Sequence, residues 1–233
     1  MQANVSPPLD PTTLDWAQID TVFLDMDGTL LDLNYDNQVW SQAVPTAYAR
    51  HHALPKVEAH TALLEHMRAI RGSIDFYSFD YWADYTGLDM IAVHRELAHL
   101  VAYRPGAEDF LAWLRHSDKQ AVLATNAHPG SVAVKDEQVQ ISAAVDCVIS
   151  SDAFKAPKED LKFWQDLQAL RPFDPARALF IDDNKAVLDC AADYGIAHLL
   201  TIRTPDSARP PRLDLEYPAF DHFDEIRPLP QSW

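Results

Sequence analysis

Thr21-Val22-Phe23-Leu24-Asp25-Met26-Asp27-Gly28-Thr29-Leu30 is the stretch on which the fold turns. A short apolar run meets two carboxylates one residue apart, and then a glycine. Such a run fits a strand buried on both faces whose C-terminal end opens into a turn, and Gly28 permits a tight backbone there. From Pro105 onward, helix and strand alternate. Helix Gly106–His116 precedes strand Gln120–Thr125, and a helix near Ser131–Ala144 precedes strand Val145–Ser150. Helix Lys158–Leu170 precedes strand Ala178–Asp182, and helix Lys185–Tyr194, capped by Gly195, precedes strand Ala197–Ile202. Five short Val/Ile/Leu-rich strands separated by helices predict an α/β fold, a Rossmann-like parallel sheet covered on both faces.

The alternation is interrupted once. Between about Asn34 and Tyr103 only helical spacing occurs: Val57, Leu63, Leu64, Met67 and Ile70 up to Gly72, then Ile91, His94, Leu97, Leu100 and Val101. The expected organisation is a loose N-terminal arm over residues 1–15, an α/β core from 16–33 and 104–233, and a helical insert over 34–103. The proline-rich tail after Thr204 is expected to wrap the surface.

Composition narrows the function. The chain has 233 residues, 48% hydrophobic and 23% charged, enough to bury a core without disulfides. Cys147 and Cys190 lie in apolar runs and outside any paired zinc spacing, which reads as buried thiols in a reducing compartment. Thirty-five acidic against 19 basic residues give a net charge of −16. That surface repels nucleic-acid polymers and anionic membranes. No leader-like or membrane-spanning run is visible, so a cytoplasmic address is expected. A small phosphorylated substrate would need a local cation, which a metal can supply. Oligomeric state is not encoded in any feature of the chain.

Four polar clusters fall just beyond strand ends, the edge where open α/β sheets bind ligands. In Asp25-Met26-Asp27-Gly28 the two carboxylates point differently, so one can attack phosphorus while the other protonates a leaving oxygen; an ordinary acidic turn is the alternative. Thr125-Asn126-Ala127-His128 offers a hydroxyl and free N–H groups to a phosphoryl oxygen, though Thr-Asn is also a common strand-to-helix junction. Lys158, in Pro157-Lys158-Glu159-Asp160, would open a helix against the dipole unless a phosphate and a carboxylate compensate; Lys155 is a rival. Asp182 and Asp183 would repel one another at a buried strand end unless a cation joins them. With Asp25 they make the oxygen-rich donor set that Mg²⁺ prefers. The aromatics of Asp75–Trp82 either stack on a base or fill the insert's own core. His128 either contacts substrate or caps a helix, and His51 and His52 read as surface.

DMDGTL, TN, PK and IDDN, in that order, resemble the four motifs of the haloacid dehalogenase-like hydrolase superfamily over nearly the whole chain, with the insert matching its C1-type cap. The resemblance implies that Asp25 is the nucleophile and a metal ligand. It implies that Asp27 is the general acid/base and binds metal through its backbone carbonyl. Thr125, Asn126 and Lys158 would bind the phosphoryl group, and Lys158 would also orient Asp25. Asp183 would ligate Mg²⁺ directly, with Asp182 sharing that role or supporting it from behind. The presence of Asp27 favours phosphotransferases over dehalogenases. DMDGTLLDL, FDYW, TNAHP, AVK, PKED and LFIDD further resemble bacterial GMP/IMP nucleotidases, which implies a purine nucleoside 5′-monophosphate as substrate; the chain departs from them around Phe154-Lys155-Ala156 and in its long arm. A sugar-phosphate phosphatase or phosphomutase on the same scaffold is the alternative, and a non-catalytic phosphate-binding regulator the remote one.

Overall fold

The computed structural model describes residues 14–228. Six strands form one parallel sheet: β1 (Thr21–Leu24), β2 (Gln120–Thr125), β3 (Cys147–Ser150), β4 (Ala178–Ile181), β5 (His198–Ile202) and β6 (Ala219–Phe220). Their order is β3-β2-β1-β4-β5-β6. The chain leaves β1 toward β2 on one side and later returns to β4 on the other, so the strand order reverses at β1. In such sheets the crevice outside the carboxyl ends at that reversal is where ligands bind. Register aims the motifs at it. Leu24 pairs with Leu123 of β2 and with Ile181 of β4, so Asp25 and Asp182 leave neighbouring strands at the same level.

Both faces of β1 are buried because its side chains alternate between two cores. Val22 and Leu24 pack with Phe110, Leu111 and Leu114, while Phe23 packs with Trp164 and Leu167. The covering helices are α6 (Ala107–Arg115), α7 (Pro129–Val139), α8 (Leu161–Leu170) and α9 (Lys185–Tyr194), the last ending at Gly195 in the left-handed conformation. They follow five helices that lie between β1 and β2: α1 (Asn34–Gln38), α2 (Val44–His51), α3 (Lys56–Ile70), α4 (Phe79–Thr86) and α5 (Met90–Glu96). These five share a separate apolar cluster that includes Tyr35, Val39, Leu63, Phe79, Trp82 and Val93. A π-helical turn, Val39–Ala43, joins α1 to α2. Pro45 has no N–H to offer to that turn, and Val44 donates to Val39 O five residues back, which is the wider ladder.

Several expectations change. The tail adds a sixth strand: Thr201 pairs with Ala219 and Ile202 with Phe220. A two-residue strand is too short to carry a periodicity. The expected helix at Ser131–Ala144 ends at Val139, because Gln140 adopts a left-handed backbone and a 3₁₀ turn, Ile141–Ala144, follows. Cys147 is half-buried rather than buried, since β3 is the edge strand; Cys190 is buried, and both are free thiols. Most of the expected loose arm lies outside the described residues. Leu14 packs against the core, and Asp15 caps a 3₁₀ turn at Trp16–Gln18. Among the described residues no helix is long and apolar enough to cross a membrane.

Candidate active site

The polar clusters converge on one cavity of about 320 Å³ at the carboxyl edge of the sheet, lined among others by Asp25, Asp27, Thr125, Asn126, Lys158, Asp182 and Asp183. Lys158 is its hub. Its Nζ donates to Asp25 Oδ1 (2.5 Å), Asp182 Oδ2 (2.7 Å) and Ala124 O (3.0 Å), which uses all three ammonium protons. Lys158 is only 2% exposed. The expectation that it opens a helix is corrected: α8 starts at Leu161, capped by Asp160, so no helix N-terminus opposes the charge. Two carboxylates, the expected Asp25 and also Asp182, hold it. Lys155 is exposed, pairs with Asp152 and stays outside the cavity.

Each carboxylate oxygen of Asp182 already accepts one hydrogen bond from the protein. Its Oδ2 accepts a hydrogen bond from Lys158 Nζ and its Oδ1 accepts from the Asn184 N–H at 2.8 Å. Asp183 has a different partner: Arg212 donates to its Oδ2 (2.7 Å) and to its backbone carbonyl (2.5 Å). Asp25, Asp182 and Asp183 each bring a carboxylate oxygen within 4.8 Å of the others. Loss of hydration raises all three above the usual carboxylate range, opposed for Asp25 and Asp182 mainly by Lys158 and for Asp183 by Arg212. Two buried carboxylates and one half-buried one thus face one buried ammonium and one half-exposed guanidinium. All donors are hard oxygens, so the set suits a divalent cation such as Mg²⁺. The Asp27 carboxylate is not in this trio.

Gly28 is placed by close approach. Its φ is +86°, and a Cβ there would lie 2.8 Å from Asp183 Cγ. The Thr125 hydroxyl caps the turn into α7 by accepting from the Ala127 N–H at 3.0 Å. The Asn126 side chain is engaged on both ends: Oδ1 accepts from the Lys158 N–H (2.9 Å), and Nδ2 donates to Glu159 Oε2 (2.8 Å). Asn126 therefore fixes the lysine loop. Glu159 also accepts from Tyr77 OH at 2.7 Å, which ties the helical segment to the core. His128 does cap α7, accepting from the Gly130 N–H at 3.1 Å, and its ring also stacks on Phe79 at 5.3 Å between centroids.

The Asp75–Trp82 aromatics do fill the segment's own core in part. Phe79 and Trp82 belong to the helical segment's core, yet they line the cavity with Phe76 and Tyr77, opposite the carboxylates. His51 and His52 are exposed, as expected. Two residues of the site escaped the sequence reading of roles: Arg212 on Asp183, and the buried Lys135, which donates to Asp27 Oδ1 (2.6 Å) and Asp36 Oδ1 (2.7 Å). The AVK string includes Lys135, but nothing local marks the residue as a partner of Asp27.

A sequence model of the haloacid dehalogenase-like hydrolases matches residues 19–195. The chain is 35% identical to the GMP/IMP nucleotidase YrfG of Escherichia coli (strain K12), over 91% of this chain and 96% of that protein; the Shigella flexneri protein of the same name matches equally. Among solved structures it resembles an HAD phosphatase from Thermococcus onnurineus, with a TM-score of 0.72, 20% identity, and 90% and 96% of the two chains covered.

Proposed function

The chain belongs to the haloacid dehalogenase-like hydrolase family, and on that premise we propose that it is a Mg²⁺-dependent phosphomonoesterase that acts through an aspartyl-phosphate on Asp25, with a purine nucleoside 5′-monophosphate, GMP or IMP, as substrate. The observation that carries the reading is the Asp25 carboxylate. It stands at the reversal point of the sheet, held through Oδ1 by Lys158, with no protein donor on Oδ2 among the described residues. A nucleophile needs that combination: one oxygen fixed and the other free to attack.

The residues divide the work. Asp25 attacks phosphorus as the bond to the leaving oxygen breaks, and Lys158 offsets repulsion between carboxylate and phosphate dianion. Asp27 gives its proton to the departing oxygen, then takes one from the water that hydrolyses the acyl phosphate. Thr125 and the N–H groups ahead of α7 receive phosphoryl oxygens. Bound Mg²⁺ would supply positive charge to the phosphoryl oxygens. Asp25 and Asp183 would hold it directly, with the Asp27 carbonyl. Asp182, with both oxygens already taken, supports the site by holding Lys158. The five-helix segment acts as the cap that excludes water and selects the leaving group.

Substrate choice rests on the leaving group, since every monophosphate presents the same phosphoryl. Trp40, Phe76, Tyr77 and Phe79 give the cavity aromatic faces on which a purine can stack, in line with what the 35% identical relative is named for. Two free thiols fit a cytoplasmic address. The test is kcat/KM for phosphate release from GMP, IMP, AMP, UMP, glucose 6-phosphate and phosphoserine at saturating Mg²⁺. GMP and IMP should lead. A sugar phosphate in the lead would refute the nucleotidase reading and leave the phosphatase reading standing, whereas transfer of phosphate to a second hydroxyl without release would indicate a mutase.

A further inference from the structure

Lys135 is the other fully buried lysine of the molecule, and the four-motif chemistry gives it no task. It projects from α7 behind the cavity and is not among the lining residues, but both carboxylates it holds are. Its Nζ reaches Asp27 Oδ1 at 2.6 Å and Asp36 Oδ1 at 2.7 Å, and lies 5.3 Å from the Tyr35 ring centre. Asp36 Oδ2 is buried without a hydrogen-bond partner, so Lys135 is what holds that carboxylate. Asp27 is on the loop after β1, Lys135 is on the core, and Asp36 is on α1, the first helix of the segment that covers the site.

We propose that Lys135 is the positioning residue for the general acid: it sets the Asp27 carboxyl toward the leaving oxygen, and through Asp36 it makes that setting depend on α1 being docked on the core. This rests on the phosphatase reading above. A buried lysine with two charged partners restricts the Asp27 side chain far more than solvent would, and misplacement of a proton donor by about 1 Å can cost ~10²-fold. Moving α1 away removes one carboxylate and frees the ammonium to swing.

The test exploits the leaving group. An alkoxide must be protonated as it departs, whereas p-nitrophenolate leaves without help. Phosphate release is measured for wild type, Lys135→Met, Asp36→Asn and Asp27→Asn on GMP and glucose 6-phosphate as alkyl esters and on p-nitrophenyl phosphate as the aryl ester. Lys135→Met should lower kcat on the alkyl esters by ~10²-fold, the scale of general acid catalysis, with the aryl ester falling far less. Added to Asp27→Asn, it should cost little more, because the two act through one group. Asp36→Asn keeps size and an acceptor for Lys135, so it preserves the fold if Lys135→Met does not; it should show the same selectivity with a smaller loss. Equal losses on both ester classes in the folded variants, or additive losses in the double variant, would overturn the inference and leave the phosphatase reading intact. Failure of wild type to hydrolyse any of the three esters would overturn the reading itself, and the inference with it.

Discussion

Lys158 illustrates how one side chain balances the site. Its three donors go to two carboxylates and a carbonyl in a nearly dry environment. Removing one member of such a buried pair costs more than the pair contributes, because the partner charge is left without compensation. Lys158→Met should therefore destabilise the fold by about 3–5 kcal/mol at pH 8 and abolish turnover. The sign of its pH dependence follows. Without the ammonium, Asp25 and Asp182 have folded pKa values raised further above the unfolded ones, so the variant gains stability relative to wild type as pH falls and protons bind. Urea midpoints for both proteins from pH 8 to pH 5 check this; a deficit that does not shrink would contradict it. Gly28→Ala is the complementary case. The added methyl meets Asp183 Cγ at 2.8 Å on a backbone with φ of +86°, so the side chain that faces Arg212 must shift. We expect a loss of about 1–3 kcal/mol in stability and at least a ~10-fold fall in turnover. Asp25, Thr125 and Asp182 could be found from sequence because a strand end announces itself locally. Lys135 and Arg212 could not: Lys135 meets Asp27 across 108 residues, and Arg212 meets Asp183 from a tail with no periodicity.

At the scale of elements, apolar runs and glycines marked β1, β2, β4, β5 and α9 well, since each is a regular element long enough to show its pattern. Boundaries moved where a local conformation overrode it, as at Gln140 and at the late start of α8. The helical segment shows a different limit. Spacing put His94 on an apolar face but not in a core: it is 1% exposed, its Nδ1 lies 2.8 Å from Met90 O, and its ring packs 4.3 Å from Phe79. Burial lowers its pKa from 6.5 to about 4. A depressed folded pKa means the unfolded chain takes up the proton first. The stability that neutral His94 confers is present above pH 6.5 and is lost as pH falls toward 4, about 3 kcal/mol in all. His94→Gln should be less stable than wild type at pH 7.5, with the gap narrowing through that window. A gap independent of pH would mean that the ring is already charged or solvated when folded.

For the molecule as a whole, the proposed function requires a net charge of −16 to coexist with a dianionic substrate. The resolution is local: a buried lysine and an oxygen-rich carboxylate set in one cavity, with an arginine from the tail holding Asp183. Excess EDTA should therefore abolish phosphate release, and Mg²⁺ should restore it. Ca²⁺ should restore less, since its longer and looser coordination misplaces the attacking oxygen. Full activity in a chelated sample would remove the metal from the account. The run of helices between β1 and β2 was legible because one interruption of an alternating pattern is a long-range feature written in local periodicity. The ties between the parts, Tyr77 to Glu159 and Asp36 to Lys135, were not, because each joins residues that only the fold brings together.

If phosphate passes through Asp25, no acyl phosphate can form once that carboxylate is gone. Phosphate release from GMP in saturating Mg²⁺, compared between wild type and Asp25→Asn of matched fold by circular dichroism, tests it most directly. The substitution keeps the size of the side chain and removes the charged nucleophile, so turnover should fall by at least ~10³-fold; retention of more than a tenth of wild-type activity would contradict the account.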